Sequence, residues 1–253
     1  MTDVLRVEQL TVSYGGVRAL VDVNLAVAEG QLVGLIGPNG AGKTTLIDAV
    51  GGFVACSGRV VLGGEDVTRL APHTRARRGL ARTWQGAELF DDLSVRENLA
   101  VAGGRSGWRT TLREVLSGGV SSGDAVECTL AELGLERLAD RGADELTQGQ
   151  RKLVGVGRAL AGEPRVVCLD EPAAGLDTLE SRELGARLRT LVDRGVAMLL
   201  VDHDMGLVLS VCDQVVVLDF GRVIAAGAPD EIRRNHTVIE AYLGRAAEQV
   251  SAV

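Results

Sequence analysis

A glycine-rich loop between a short apolar run and a helix-compatible segment constrains the fold of this chain more than any other feature. The apolar run, Leu32 to Ile36, is too short for a helix and therefore predicts a buried strand. The segment after the loop, Thr44 to Val50, is predicted to be helical. A loop in this position presents backbone N–H groups at a helix N-terminus, which is a favourable place for a phosphate.

The loop itself matches the phosphate-binding pattern G-x-x-x-x-G-K-[ST]. Its glycines let the backbone approach the phosphates, Lys43 reaches the β- and γ-phosphates, and the hydroxyl of Thr44 can ligate Mg²⁺. A chance match is disfavoured because the chain contains only two lysines. We predict that a nucleotide is bound by residues in and directly after the loop, namely Gly37, Asn39, Gly40, Ala41, Gly42, Lys43, Thr44 and Thr45.

Two adjacent acids end a second predicted strand. The apolar run Arg165 to Leu169 is followed directly by Asp170 and Glu171. A strand that ends in Asp-Glu usually marks only a solvated turn. Beside a phosphate loop, however, the first acid can hold the Mg²⁺ shell and the second can activate water for attack on the γ-phosphate. We therefore predict that Asp170 is a metal ligand and that Glu171 is the catalytic base.

Composition and charge fit one soluble α/β domain. The chain has 253 residues, of which 46% are hydrophobic and 24% charged, and its net charge is −7. Such a balance gives no general attraction to nucleic acid. The arginines of one basic cluster have the spacing of residues on one face of a short helix, and we expect them to lie on the solvated surface. The cluster consists of Arg75, Arg77, Arg78 and Arg82.

Cysteine spacing and hydropathy indicate a cytoplasmic protein that needs another chain to reach a membrane. The cysteines show neither a CxxC pair nor zinc-ligand spacing, so we expect reduced thiols. No signal peptide is recognisable at the N-terminus. The most apolar runs, such as Val196 to Val201, fall far short of the ~18 residues that a membrane span needs. The cysteines are Cys56, Cys128, Cys168 and Cys212.

The order of patterns along the chain predicts an α/β fold with two additions to a parallel sheet. Alternating runs at Leu5 to Val12 and Val21 to Val27 predict an N-terminal antiparallel sheet. Helical patterns dominate from about residue 89 to residue 162, interrupted by a polar segment from Gly103 to Asp124 that we expect to be flexible. Apolar strands resume afterwards, the last at Gln214 to Leu218, and residues 246–253 are expected to fray. The whole chain is thus predicted to be one domain, residues 1–253, with an inserted helical subdomain at about residues 89–162.

A pentapeptide before a predicted helix suggests a family. Residues 146–150 read Leu-Thr-Gln-Gly-Gln, and the sequence resembles the ATP-binding cassette (ABC) ATPases, whose L-S-G-G-Q signature opens a helix. On its own, an N-cap threonine explains this segment equally well. The resemblance implies a P-loop NTPase core of RecA-like type, and two chains that close around two ATP·Mg²⁺. In that arrangement the signature of one chain covers the ATP of the other through Thr147, Gln148, Gly149 and Gln150.

Other positions match the remaining loops of this family in the right order. The resemblance implies that Tyr14 stacks on adenine and that Gln85 approaches Mg²⁺ and senses the membrane partner. It also implies that Asp177 crosses the dimer interface and that His203 contacts the γ-phosphate. Each position also has a plainer interpretation: Tyr14 as an aromatic residue in a turn, Gln85 as a surface amide, Asp177 as a helix cap and His203 as a polar residue at a strand end.

A closer resemblance concerns the ATPase subunits of branched-chain amino acid importers, with urea and amide importers and the ATPase of lipopolysaccharide export as related branches. Two departures from the usual pattern are Trp84 in place of phenylalanine and Thr147-Gln148 in place of Ser-Gly. The second departure bears on the hydrolysis rate. The resemblance rests on Leu80 to Gln85, Glu171 to Leu176, Val201 to Met205 and Val238 to Gly244.

The resemblance implies a peripheral motor on the cytoplasmic face of the plasma membrane. Its expected partners are transmembrane permease subunits, a second ABC ATPase subunit of the same or a similar kind and, indirectly, a solute-binding protein, with no nucleic acid. One alternative is a soluble cassette ATPase without a transporter, which often carries a second cassette or a basic surface that this chain lacks. Another is a regulatory subunit that no longer hydrolyses ATP, which Glu171 and His203 argue against.

Overall fold

A computed structural model describes residues 2–84, 89–103 and 123–242. Gln85 therefore lies outside the described residues. The same holds for nearly all of the segment that we expected to be flexible and for the C-terminal residues that we expected to fray. In the described residues the strands are β1 (Asp3–Tyr14), β2 (Val17–Ala28), β3 (Leu32–Ile36), β4 (Ser57–Leu62), β5 (Glu65–Asp66), β6 (Leu80–Arg82), β7 (Val166–Asp170), β8 (Ala197–Val201), β9 (Gln214–Asp219) and β10 (Arg222–Gly227).

Helices surround these strands, and residues 236–242 are also helical. Short 3₁₀ turns lie at Glu136–Leu138 and Ala143–Glu145. In chain order the described helices are α1 (Lys43–Gly51), α2 (Pro72–Arg77), α3 (Val95–Gly103), α4 (Gly123–Leu133), α5 (Gln148–Leu160), α6 (Thr178–Asp193), α7 (Met205–Val211) and α8 (Pro229–Arg233).

The central sheet has the strand order β10-β9-β3-β8-β7-β6, and all its neighbouring strands are parallel except β10, which is antiparallel to β9. Strands β3, β7 and β8 are buried along their whole length, as expected for parallel strands covered on both faces. Their side chains alternate between two apolar clusters. In β3, for example, Leu35 packs with the β1–β2 side and Ile36 packs with the helical side.

A second sheet is antiparallel, with the order β2-β1-β4-β5, and it faces α1 and the central sheet. In β1 the inward side chains Leu5, Val7, Leu10 and Val12 are buried, and the alternation shifts by one residue at Gln9, which has φ +49°. On the other side of the central sheet, α3, α4 and α5 contribute Leu99, Leu130 and Val154 to the larger cluster. The predicted fold class is therefore confirmed: a parallel core, an antiparallel sheet and helices. The sequence patterns missed the short or edge strands β4, β5, β6 and β10.

The expectation of a solvated arginine face is wrong for two of its four members. Arg75 is only 2% exposed, because its guanidinium donates to the backbone carbonyls of Ala49 and Val50 at 2.8 and 2.6 Å. It thereby caps the C-terminal end of α1, where carbonyls lack helical partners. Burial lowers the pKa of Arg75. The Arg82 side chain is 9% exposed and lies between two carboxylates, as described below.

The structure bears on two further sequence predictions, one about the cysteines and one about membrane-spanning helices. All four cysteines are free thiols. Burial raises the pKa values of Cys168 and Cys212 to about 12. Both side chains therefore stay protonated, and as thiols they are unreactive. Among the described helices, none combines the length and the apolar character that crossing a bilayer requires.

Candidate nucleotide site

The phosphate loop (Gly37 to Thr44) joins the carboxyl end of β3 to α1, which begins at Lys43. The Lys43 side chain folds back over the loop: its Nζ donates to the carbonyl oxygens of Gly37 and Pro38 at 2.7 and 3.2 Å, and the residue is 7% exposed. Thr44 is exposed in the first turn of α1 and Thr45 is half-buried. The ammonium group is therefore held inside the loop.

Two loop glycines are required by their surroundings. Gly37 has φ +154°, and a methyl group added there would lie 2.2 Å from the carbonyl oxygen of Leu218. Gly42 has φ +106°, and a methyl group there would lie 2.7 Å from a Leu20 methyl carbon. Both contacts are closer than real Cβ atoms tolerate, so any side chain would displace the loop.

The loop is supported from behind by the C-terminal part of the chain. The Gly221 N–H in the β9–β10 turn donates to the Ala41 carbonyl at 2.9 Å. The backbone N–H of Gly37 donates to the hydroxyl oxygen of Tyr242, whose pKa is raised to about 12 by burial despite that bond. The β9–β10 turn and the C-terminal Tyr242 thus contact the phosphate loop at Ala41 and Gly37.

Asp170 ends β7 and is only 4% exposed. Its Oδ2 accepts from Arg82 Nη2 at 2.9 Å, and its backbone N–H donates to Thr83 Oγ1 at 3.0 Å. Burial raises the pKa of Asp170, and the adjacent Arg82 guanidinium opposes that rise. Arg82 Nη1 also donates to Asp48 Oδ1 at 2.5 Å, so one guanidinium bridges α1 and β7.

Glu171, the predicted base, follows in a left-handed conformation with φ +47°. Its N–H donates to the Val201 carbonyl at the end of β8, at 2.7 Å. A non-glycine residue at positive φ costs free energy and is often retained at functional sites because it aims a side chain. Here it turns the chain sharply at the carboxyl edge of the sheet.

His203 follows β8 at the same edge. Its side chain is 61% exposed, and its Nδ1 lies 3.6 Å from Oδ1 of Asp202, which is fully buried. Asp202 accepts hydrogen bonds from the N–H groups of Ala173 and Asp204, at 3.1 and 3.0 Å. Asp202 therefore ties the segment after Glu171 to the histidine segment. Because the carboxyl ends of β3, β7 and β8 meet at one edge, Lys43, Asp170, Glu171 and His203 are brought together there.

The signature segment (Leu146 to Gln150) opens α5 as a capping box. Thr147 Oγ1 accepts from the Gln150 N–H at 3.2 Å, and Gln150 Oε1 accepts from the Thr147 N–H at 3.0 Å. Thr147 and Gln148 are exposed, while Gly149 and Gln150 are half-buried. The plainer interpretation of Thr147 as a helix cap is thus confirmed, and the cap leaves the helix N-terminus facing outward.

Asp177 caps α6 by accepting from the N–H groups of Leu179 and Glu180 at 2.8 and 2.9 Å. The loop before it, Ala174 to Asp177, contacts the signature segment of the same chain. A methyl group added to Gly175 would lie 2.4 Å from Gln148 Nε2. The two elements that the resemblance assigns to the partner's nucleotide therefore form one surface.

Tyr14 ends β1 and is 50% exposed, next to the turn that leads to Val17. Its ring is accessible for stacking on a base. The roles of the predicted site residues stay predictions, but their placement sorts them into two groups. One group surrounds the phosphate loop and the other surrounds the signature segment.

Known proteins match both the body and the C-terminal part of the chain. Residues 20–174 match the ABC transporter family, and residues 222–248 match the Branched-chain amino acid ATP-binding cassette transporter family. The chain is 40% identical over 251 residues to the high-affinity branched-chain amino acid transport ATP-binding protein BraF of Pseudomonas aeruginosa, covering 96% of this chain and 98% of BraF. The chain belongs to the ABC transporter family.

Other relatives of this ABC cassette include LivG of Salmonella typhimurium, a branched-chain amino acid transport ATP-binding protein, at 36% identity over 259 residues. That match covers 96% of this chain and 98% of LivG. The lipopolysaccharide export system ATP-binding protein LptB of Escherichia coli is 36% identical over 241 residues, covering 95% of this chain and 97% of LptB. Among solved structures, the ADP conformation of MJ1267, an ATP-binding cassette of an ABC transporter, aligns with a TM-score of 0.84 at 31% identity. That alignment covers 96% of this chain and 100% of MJ1267. The prediction of an ABC ATPase is confirmed.

Sequence reasoning missed three charged residues of this ABC ATPase that the structure places at the site. Asp202 had a detectable signal, because it directly follows a buried strand as Asp170 does. Arg82 lies three residues before Gln85, but a surface role was assigned to it from its helical spacing. Asp48 carries no signal in the sequence, since only the tertiary structure brings it to Arg82.

Proposed function

We propose that this ABC ATPase energises the import of branched-chain amino acids or a related small polar solute. The observation that carries the proposal is the match to BraF along 96% of the chain, together with the separate match of residues 222–248. The lipopolysaccharide-export branch is the second candidate, because LptB also aligns along 95% of the chain at 36% identity. The direction of transport follows from whichever permeases the chain binds.

In the proposed site the phosphate loop and Lys43 hold the phosphates, and Tyr14 stacks on the adenine. Among the described residues no group of three or more His, Cys, Asp or Glu side chains could form a metal cage. The proposed ligands are instead a hydroxyl, a carboxylate and an amide, a small set of oxygen donors that fits Mg²⁺, because this ion keeps phosphate oxygens and water in its shell. Thr44, Asp170 and Gln85 would hold it, and Mg²⁺ would neutralise charge on the phosphates.

The catalytic roles follow from the carboxyl edge of the sheet. Glu171 accepts a proton from the attacking water, in an orientation set by its left-handed backbone. His203 donates to the γ-phosphate, and the buried carboxylate of Asp202 lies 3.6 Å from its Nδ1, where it favours a proton on that nitrogen. Gln85 completes the water and metal contacts.

Two cassettes, either two copies or this chain and a similar ATPase, close head to tail around two nucleotides. Thr147, Gln148, Gly149 and Gln150 of one cassette then face the γ-phosphate held by the other, from the positive end of α5. Asp177 crosses the same interface. The exposure of Thr147, Gln148 and Asp177 supports this role, because these polar groups gain a partner on closure.

Permease subunits hold the cassette at the cytoplasmic face of the plasma membrane, and a solute-binding protein acts through them. The aromatic residues Phe53, Trp84 and Phe90 support such a docking surface, since they are 50%, 53% and 44% exposed. The net charge of −7 argues against nucleic acid as a partner.

The test is to tag the chain in its native host and identify what it holds in membranes. We expect two multi-span permeases and an ATPase activity that rises with a solute-binding protein loaded with leucine. Co-purification with lipopolysaccharide-export subunits would favour the second candidate. Equal membrane association in cells lacking any permease would contradict a transport role.

A further inference from the structure

The guanidinium of Arg82 touches both the proposed metal ligand and an exposed aromatic surface. On one side it pairs with Asp48 and Asp170, at 2.5 and 2.9 Å. Its own side chain is 9% exposed and that of Asp170 is 4% exposed, so little water screens this pair. The pair is therefore stronger than a surface ion pair, and loss of either partner leaves a buried charge.

On its other side the same guanidinium lies over two rings. Its central carbon is 4.3 Å from the centroid of the Trp84 ring and 5.8 Å from that of Phe53. The two rings contact each other edge to face, with centroids 5.1 Å apart. We call Phe53 and Trp84 the aromatic pair; about half of each residue is exposed to solvent, at 50% and 53%.

The Arg82 guanidinium is therefore subject to two competing interactions. A divalent cation on Asp170 would take over the carboxylate that Arg82 now neutralises, and like charges would push the guanidinium away. Covering the aromatic pair would instead exclude water and strengthen the attraction between the rings and the guanidinium. A planar guanidinium can meet both the bridging and the stacking geometry, which a lysine ammonium cannot.

We propose that Arg82 is a positioning residue that links the aromatic pair to Asp170, so that Mg²⁺ with nucleotide changes the environment of Trp84. By reciprocity, a protein docked on the aromatic pair changes the affinity of the site for Mg²⁺. The link rests on the proposed function, because Asp170 holds Mg²⁺ only if the chain binds Mg²⁺·ATP there.

The experiment uses Trp84 as its own reporter. The chain has two tryptophans, so Trp108→Phe leaves Trp84 as the single emitter. ATP is added with EDTA, and Mg²⁺ is then titrated in while Trp84 emission is recorded. We expect a Mg²⁺-dependent change in emission that is lost in Arg82→Met. The half-saturating Mg²⁺ concentration, followed with a fluorescent ATP analogue, should fall about tenfold in Arg82→Met because a competing cation is gone.

Two further variants keep the test decisive. Arg78→Met removes an exposed arginine that pairs with Glu65 at 2.9 Å and should leave the Trp84 response intact. If Arg82→Met does not fold, Arg82→Lys keeps the charge but loses the stacked plane, and it should still lose the response. A full response in Arg82→Met or Arg82→Lys would overturn the link. So would a parent that binds Mg²⁺·ATP without any Trp84 response, whereas failure to bind ATP at all would contradict the proposed function instead.

Discussion

Three charged side chains beside the phosphate loop, those of Lys43, Asp170 and Asp202, are buried, whereas Thr147 and Gln148 of the signature segment are exposed. Lys43, Asp170 and Asp202 are 7%, 4% and 0% exposed. Lys43 donates to carbonyl oxygens of its own loop, whereas Asp170 and Asp202 accept hydrogen bonds from Arg82 and Ala173 on other elements. Thr147 and Gln148 are exposed, and Thr147 is bonded only within its own helix end by the capping box. The first group is preorganised by the core, while the second is ordered by local hydrogen bonds and lies open to the partner proposed above.

This difference sets what mutations should do. Around the phosphate loop, a small change meets packed backbone or a buried charge, so its cost is large. At the signature segment, substitutions that preserve the cap should affect stability little and act on the paired state. Substitutions in the two regions, given below in order of decreasing expected effect, test this difference.

The largest effect is expected for Glu171→Gln, which keeps the shape of the side chain but removes the proton acceptor. ATP turnover should fall by about 10²–10⁴-fold while ATP binding is retained. Steady-state phosphate release and binding of a fluorescent ATP analogue measure the two quantities. The matched control is Glu163→Gln, since Glu163 also has φ +47° but lies before the amino end of β7. Unchanged turnover in Glu171→Gln would remove this residue from the role of base.

A smaller effect is expected where the signature segment meets Gly175. Gly175→Ala places a methyl group 2.4 Å from Gln148 Nε2 at φ +80°, whereas Gly64→Ala has similar strain, at φ +85°, in open space. Urea unfolding should show Gly175→Ala to be less stable than Gly64→Ala by at most about 1 kcal/mol, because the exposed end of the Gln148 side chain can move aside. In a Gln148→Gly background that difference should vanish. A difference that persists there would show that Gln148 is not the neighbour that matters.

Gln148→Gly alone tests the unusual signature. Its side chain is exposed and its backbone N–H lies at the helix N-terminus in either variant, so turnover should change by less than about tenfold, or about 1.4 kcal/mol in barrier. Steady-state ATPase activity in the assembled transporter measures this. If the wild type is inactive and the glycine variant is active, the chain is a regulatory subunit.

A comparably small effect is expected for Tyr242→Phe. The substitution removes the hydroxyl that accepts from the Gly37 N–H but keeps the ring. The free energy of unfolding should fall by about 1 kcal/mol, the net value of a typical hydrogen bond. Urea denaturation checks this, and a loss above about 3 kcal/mol would mean that the ring packing was also disturbed.

The sequence predicted the fold and site best where local patterns and chemistry coincide. The phosphate loop and Asp170 each follow a buried apolar strand, and that order is visible without a structure. Arg75 and Arg82 were misassigned because helical spacing says nothing about which carbonyls or carboxylates the fold brings near. Strand β10 was missed because its residues are mostly half-buried, so it lacks clear alternation.

The central claim is that one ATP site is shared between the phosphate loop of one chain and the signature segment of another. Lys43→Ala and Gly149→Asp each damage both sites of a dimer, so each variant alone should be inactive. In an equal mixture, half of the dimers contain one of each chain, and each of these has one intact site. ATPase activity of the mixture should therefore reach about a quarter of wild type. Activity no higher than that of either variant alone would contradict a shared site.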